Sequence, residues 1–120
     1  MRTIKQRIES FGFAYNGLKW AFMHHPNYRI HAILSFFVVL ASIFFRITSM
    51  EWIFIILTIT LGFVIESINT AVEATCDAID ESWRQDIRTA KDVSAAAMLV
   101  YSLGATLIAL IIFIPKLIVL

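Results

Sequence analysis

The chain has 120 residues, of which 59% are hydrophobic and only 16% charged, with a formal net charge of +1. A water-soluble domain of this size is nearer about half apolar and a quarter charged. Here the mean hydropathy of +0.78 comes from uninterrupted apolar blocks rather than amphipathic stripes. The composition excludes an ordinary soluble globule, no basic repeat points to nucleic acid, and the lone Cys76 excludes an internal disulfide. The first long apolar run follows mixed sequence, with no small-residue cleavage site after it, so no removable signal peptide is expected.

Taken in order, residues 1–23 place Ile4, Ile8, Phe11, Tyr15, Leu18 and Phe22 on one helical face, with Arg2, Lys5, Glu9, Asn16 and Lys19 around the rest. This pattern predicts a helix lying in the membrane interface. His24-His25-Pro26-Asn27 breaks it, because a residue before proline is pushed out of the α region, and Pro26 suits the first turn of the next helix. Spans are predicted at 28–47, 51–80 and 92–114, the first two joined by a short turn into an antiparallel hairpin. Trp20, Trp52 and Trp83 read as interfacial anchors. Between the second and third spans, 81–91 is the only long polar segment after the N-terminus. The last span opens on small residues, Ser94-Ala95-Ala96-Ala97, which permit close approach of another helix. The whole reads as a single membrane-embedded domain, 1–120.

The most informative stretch is Glu66 to Asp80, which continues an uncharged run from Trp52 to Ile65. At about 100° per residue, Glu66, Asn69, Glu73, Asp77 and Asp80 share one narrow arc. Ionisable groups at that depth are costly and mark function. Arg2, Lys5, Arg7, Lys19 and Arg29 precede the first span, and Arg84, Arg88 and Lys91 follow the second, which predicts that this side is cytoplasmic. The acidic arc, met by Lys91-Asp92 entering the last helix, suits a Mg-nucleotide: hard cations take carboxylate oxygen, and a lysine neutralises phosphoryl charge. A partly desolvated carboxylate at that depth can accept a hydroxyl proton, and the acceptor there would be a lipid head group. No Walker-type or kinase Gly-rich loop is present, which excludes the soluble kinase frameworks. No Glu-x-x-His pair supports a di-iron site. Two non-enzymatic readings share the Glu66–Glu73 face: a proton or ion relay, and an assembly subunit.

Glu66-Ser-Ile-Asn69-Thr-Ala-Val-Glu73-Ala-Thr-Cys-Asp77, followed by Ala90-Lys91-Asp92, resembles the prokaryotic diacylglycerol kinase family. Asn27-Tyr28-Arg29-Ile30-His31 is similar to the segment of its undecaprenol kinase branch, and the likeness runs through nearly the whole chain. The resemblance implies an all-α membrane protein of three transmembrane helices plus an N-terminal amphipathic interfacial helix. It also implies a homotrimer with shared active sites in the cell (inner) membrane, facing the cytoplasm. The implied activity is transfer of the ATP γ-phosphate to the primary hydroxyl of a lipid alcohol, undecaprenol or diacylglycerol, with Mg²⁺. Carried over, Glu66 is the catalytic base, Glu73 a metal ligand, and Asn69 a polar contact. Lys91 and Asp92 are parts of the nucleotide site, and Arg7 is a nucleotide contact. The chain departs from the pattern at His25, where the family has a metal-binding glutamate, and at Ser82-Trp83-Arg84, where it has a tyrosine–histidine pair.

Overall fold

The computed structural model describes residues 1–120, all of whose regular structure is helical: α1 (Ile4–His24), α2 (Pro26–Phe44), α3 (Ser49–Ile79) and α4 (Gln85–Ile118). The last three are each long and apolar enough to cross a membrane. Only 12 of 120 residues are buried within the chain, so most apolar side chains must be covered by lipid or by other protein.

Each helix starts and stops for a local reason. Thr3 caps α1 through a reciprocal box: its hydroxyl accepts from the Gln6 amide at 3.3 Å, while the Gln6 side chain accepts from the Thr3 amide at 2.9 Å. The helix ends at His25, held extended (φ −114°, ψ 110°) ahead of Pro26. Trp20 packs across this joint, stacked on His24 with ring centroids 5.0 Å apart and tilted on His25 at 5.2 Å. Beyond the joint α1 is nearly bare: Ala21 is its one buried residue, and Ile4, Ile8, Phe11, Tyr15 and Leu18 are exposed. A membrane interface would cover that face.

At the other end of α2 the chain leaves through a Schellman motif. Ile47 N–H donates to Ser42 O at 3.2 Å and Arg46 N–H to Ile43 O at 3.2 Å. Arg46 takes the left-handed conformation there (φ 50°) that glycine more often fills, which is why α2 closes at Phe44 rather than 47. Thr48 then opens α3 with a second capping box. Glu51 accepts from the Thr48 amide at 3.0 Å and from Lys116 Nζ of α4 at 2.7 Å. Ile47, Ile55 and Ile112 form a small core at this end, flanked by Val38, Phe45, Trp52 and Phe113.

The connection from α3 to α4 is shorter than the polar sequence suggests. Asp80 accepts from the Ser82 amide at 2.8 Å and the Ser82 hydroxyl at 2.6 Å, which holds its carboxyl below the usual range. Helix α4 begins at Gln85, not at Asp92. Asp86 sits in its first turn, accepting from the Ile87 amide at 2.9 Å and from Arg84 Nη2 at 2.7 Å, where an acidic side chain favours a helix start. Residues 85–91 are thus a polar extension of the last span. At the far end α4 runs through Pro115 to Ile118, since a proline this near the terminus removes little of the hydrogen-bond ladder.

Helix α3 lies between α2 and α4 and packs on both. Gly62 makes room for a side chain of α4: an added Cβ there would stand 2.5 Å from the Tyr101 hydroxyl. That hydroxyl donates to Thr58 O at 2.6 Å. In lipid, where apolar burial does not drive helices together, such small-residue contacts and interhelical hydrogen bonds carry association. Gly62→Ala should therefore lower the thermal midpoint in detergent. Gly104→Ala, with nothing within 4 Å of its Cβ, should raise it slightly, by the helix-propensity gain of up to about 1 kcal/mol; scanning fluorimetry on the pair reads the opposite signs.

Candidate active site

The acidic arc of α3 divides by depth into three levels. Glu66, the deepest, is 2% exposed. Its carboxylate has His31 Nε2 of α2 at 3.9 Å, beyond hydrogen-bond length. Glu73 lies about 10 Å further along the helix axis at 1.5 Å per residue, half-buried, with Asn69 Nδ2 at a long 3.5 Å from one oxygen. Asp77, one turn beyond and exposed, accepts from Lys91 Nζ of α4 at 2.6 Å. Asp80 leaves the set, occupied by Ser82 and by Arg84 at 3.7 Å.

Glu66, Asn69 and Glu73 open into one cleft of about 330 Å³, bounded by Asn27 and His31 of α2 and by Met98 and Ser102 of α4. Tyr28 fixes α2 against α3: its hydroxyl lies 3.2 Å from Ser67 Oγ, which itself donates to Phe63 O at 2.7 Å, so Tyr28 is the donor. Asn69, 7% exposed, accepts from Ser94 Oγ of α4 at 2.7 Å, which orients its amide toward Glu73. The two glutamates therefore keep carboxylate oxygens available, while the groups between and beyond them are held by α4.

The other predicted site residues lie around this cleft rather than in it. Lys91 is level with Asp77, one turn from Glu73, and borders a hollow of about 210 Å³ with Trp83, Arg84 and Arg88. Asp92 is exposed and paired with Arg88 at 3.2 Å. Arg7 is exposed on α1. His25 is the half-buried joint between α1 and α2, its ring against Trp20, and is not part of the cleft lining. Sequence reasoning missed His31, Ser94 and Ser102. Of these only His31 carried a signal, as the last residue of Asn27-Tyr28-Arg29-Ile30-His31.

No group of three or more His, Cys, Asp or Glu side chains is arranged as a metal cage. Mg²⁺ needs none: it retains waters, takes substrate phosphate oxygens, and is commonly held through one or two carboxylates. A single carboxylate with free oxygens, as at Glu73, fits that mode.

Residues 12–113 match the sequence profile described as "Prokaryotic diacylglycerol kinase". The chain belongs to that family. Among relatives of this diacylglycerol kinase family member, the undecaprenol kinase of Bacillus subtilis is 32% identical over 110 residues, covering 92% of this chain and 89% of the relative. A diacylglycerol kinase of Synechocystis is 29% identical over 111 residues, 92% of this chain but 63% of that longer protein. A diacylglycerol kinase of Helicobacter pylori is 28% identical over 107 residues, covering 89% and 84%. The family is one of lipid kinases.

Since Ser94 holds the buried Asn69 carbonyl, Ser94→Ala should cost about 1–3 kcal/mol and Ser94→Thr should restore most of it. Thermal unfolding of the two variants in the same detergent checks this.

Proposed function

We propose that the protein transfers the γ-phosphate of ATP to the primary hydroxyl of undecaprenol, giving undecaprenyl phosphate and ADP. The observation that carries the reading is the axial order on α3: Glu66 buried and without a hydrogen-bond donor, then Glu73, then the Asp77–Lys91 pair at the polar end. That is the order in which a membrane-anchored hydroxyl, a metal-bound phosphate and the remainder of a nucleotide would meet. The choice of a polyprenol is supported by the full-length relation to the Bacillus subtilis undecaprenol kinase and by Asn27-Tyr28-Arg29-Ile30-His31.

Glu66 takes the hydroxyl proton as the oxygen–phosphorus bond forms and the bond from the γ-phosphorus to the bridging oxygen of ADP breaks. Its burial excludes bulk water, which would otherwise compete as acceptor. Glu73 would hold Mg²⁺, which would supply neutralisation of phosphate charge. Asn69, set by Ser94, aligns Glu73. Lys91 meets phosphate oxygens by exchanging its Asp77 partner. Arg7 and Asp92 are exposed and outside the cleft lining of their own chain, which suits a homotrimer in which neighbours complete each nucleotide site. The basic segments at this end support a site facing the cytoplasm from the inner membrane of the cell. A proton or ion relay would need ionisable groups crossing the bilayer, and between Glu51 and Glu66 the chain has none.

Glu66→Gln tests the reading. Loss of a general base of this kind lowers kcat by about 10²–10⁴-fold, with oligomer mass and Mg-ATP binding kept. Phosphotransfer to undecaprenol within about tenfold of the native rate would refute it. Glu73→Gln should instead raise the Mg²⁺ concentration needed for half-maximal rate, and chelation should abolish turnover reversibly; a magnesium titration distinguishes the two carboxylates.

A further inference from the structure

A base that takes a hydroxyl proton must give it up before it can act again. Here the base is Glu66, whose side chain is only 3% exposed. A second group able to take the proton and hand it to solvent would close the cycle.

The cleft offers one such group. Asn27, Asn69 and Ser102 line it, but neutral amides and hydroxyls do not carry an extra proton near neutral pH. Glu73 lies about 10 Å further along α3 at 1.5 Å per residue. The remaining lining is apolar except for His31. His31 Nε2 stands 3.9 Å from Glu66 Oε2, and its side chain is 19% exposed. Asn27, exposed and one helical turn earlier on α2, leads from His31 to the start of that helix. The 3.9 Å gap is longer than a direct hydrogen bond. Acid–base pairs in unliganded sites are often long and tighten with substrate, or act through one water.

The imidazole is held by packing, against Phe63 and Tyr101 with ring centroids at 6.3 and 6.0 Å. The nearby phenols are committed elsewhere: Tyr101 donates to Thr58 O at 2.6 Å, and Tyr28 is bonded to Ser67 at 3.2 Å. The other two histidines serve the α1–α2 joint, His24 with Nδ1 2.9 Å from Trp20 O and His25 with its ring on Trp20. The titratable groups around His31 are thus Glu66 and Glu73 of α3 and Tyr101 of α4, with His25 at the end of α1.

We propose that His31 is a positioning residue for the catalytic proton, which it receives from Glu66 after phosphotransfer and releases to water on the Asn27 side of the cleft. The inference rests on the lipid kinase reading above. The proton leaves the Glu66 carboxyl for the lone pair of neutral His31 Nε2, which regenerates the carboxylate and forms an imidazolium. The imidazolium then loses a proton to solvent, with no change of oxidation state. Imidazole suits the task because its charge changes between about pH 5 and 8. Since the step follows phosphotransfer, slowing it lowers kcat but leaves the first turnover and kcat/KM unchanged.

His31→Gln keeps a polar side chain of similar reach that cannot take a proton. With Mg-ATP and undecaprenol in mixed micelles, it should form one lipid phosphate per site at the native rate. The steady rate should then be at least about tenfold lower, with kcat/KM held within about twofold and oligomer mass unchanged. In His31→Ala, added imidazole at fixed ionic strength and Mg²⁺ should restore the steady rate in proportion to its free base. The native protein and Glu66→Gln should not respond to it. An unchanged steady rate in His31→Gln, a slowed first turnover, or a loss in His31→Ala that imidazole does not restore would overturn the proposal. A native protein that phosphorylates no lipid alcohol would refute the kinase reading instead, a result distinct from these.

Discussion

Four polar rungs tie α3 to α4 along their length: Glu51–Lys116, Thr58–Tyr101, Asn69–Ser94 and Asp77–Lys91. In a bilayer the lipid tails are as apolar as leucine, so packing and interhelical hydrogen bonds decide which helices stay together. The rungs sit at both ends and at two interior levels, and Gly62 makes room for the Tyr101 ring between them. Everything else in the fold is arranged on this two-helix plate. Helix α2 leans on it through Tyr28 and Ser67 near one end and through Ile47 in the small apolar core near the other.

The plate also determines which side chains of the α3 arc are engaged by α4. Asn69 and Asp77 are engaged by α4, and Asp80 by its own turn. Glu66 and Glu73 escape the ladder. Glu66 is buried without a donor, an arrangement that structural stability alone would disfavour. The same division explains why Asn69 is better described as a positioning residue than as a ligand: its carbonyl is already committed to Ser94, which leaves the amide to steady Glu73 at long range.

Much of this could be read from residue order. The arc Glu66, Asn69, Glu73 and Asp77 follows from helical periodicity, and an uncharged run before it places Glu66 below the head groups. That Lys91 meets the arc followed from the antiparallel order of the spans. What could not be read is which face of each neighbouring helix looks inward. His31, Ser94 and Ser102 lie on such faces; His31 could be picked out only through the Asn27-to-His31 segment, and a lone serine in an apolar stretch gives no signal of its own. Residues 85–91 escaped for another reason. Hydropathy reports immersion in lipid, not helicity, so a helix that continues into water looks like a loop. The capping boxes at Thr3 and Thr48 are, by contrast, plain in the sequence as a hydroxyl followed three places later by Gln6 or Glu51.

The single-residue joint at His25 has a mechanical consequence. A residue preceding proline is confined to extended conformations, and Trp20 covers this one from the α1 side. Helix α1 therefore cannot slide along the membrane surface independently of α2; any tilt of α2 forced by a thicker or thinner bilayer swings α1 with it. Asn27, on the first turn past that elbow, is part of the cleft wall. The elbow and the cleft thus share one turn of helix, so a change of angle at the first would be carried to the wall of the second.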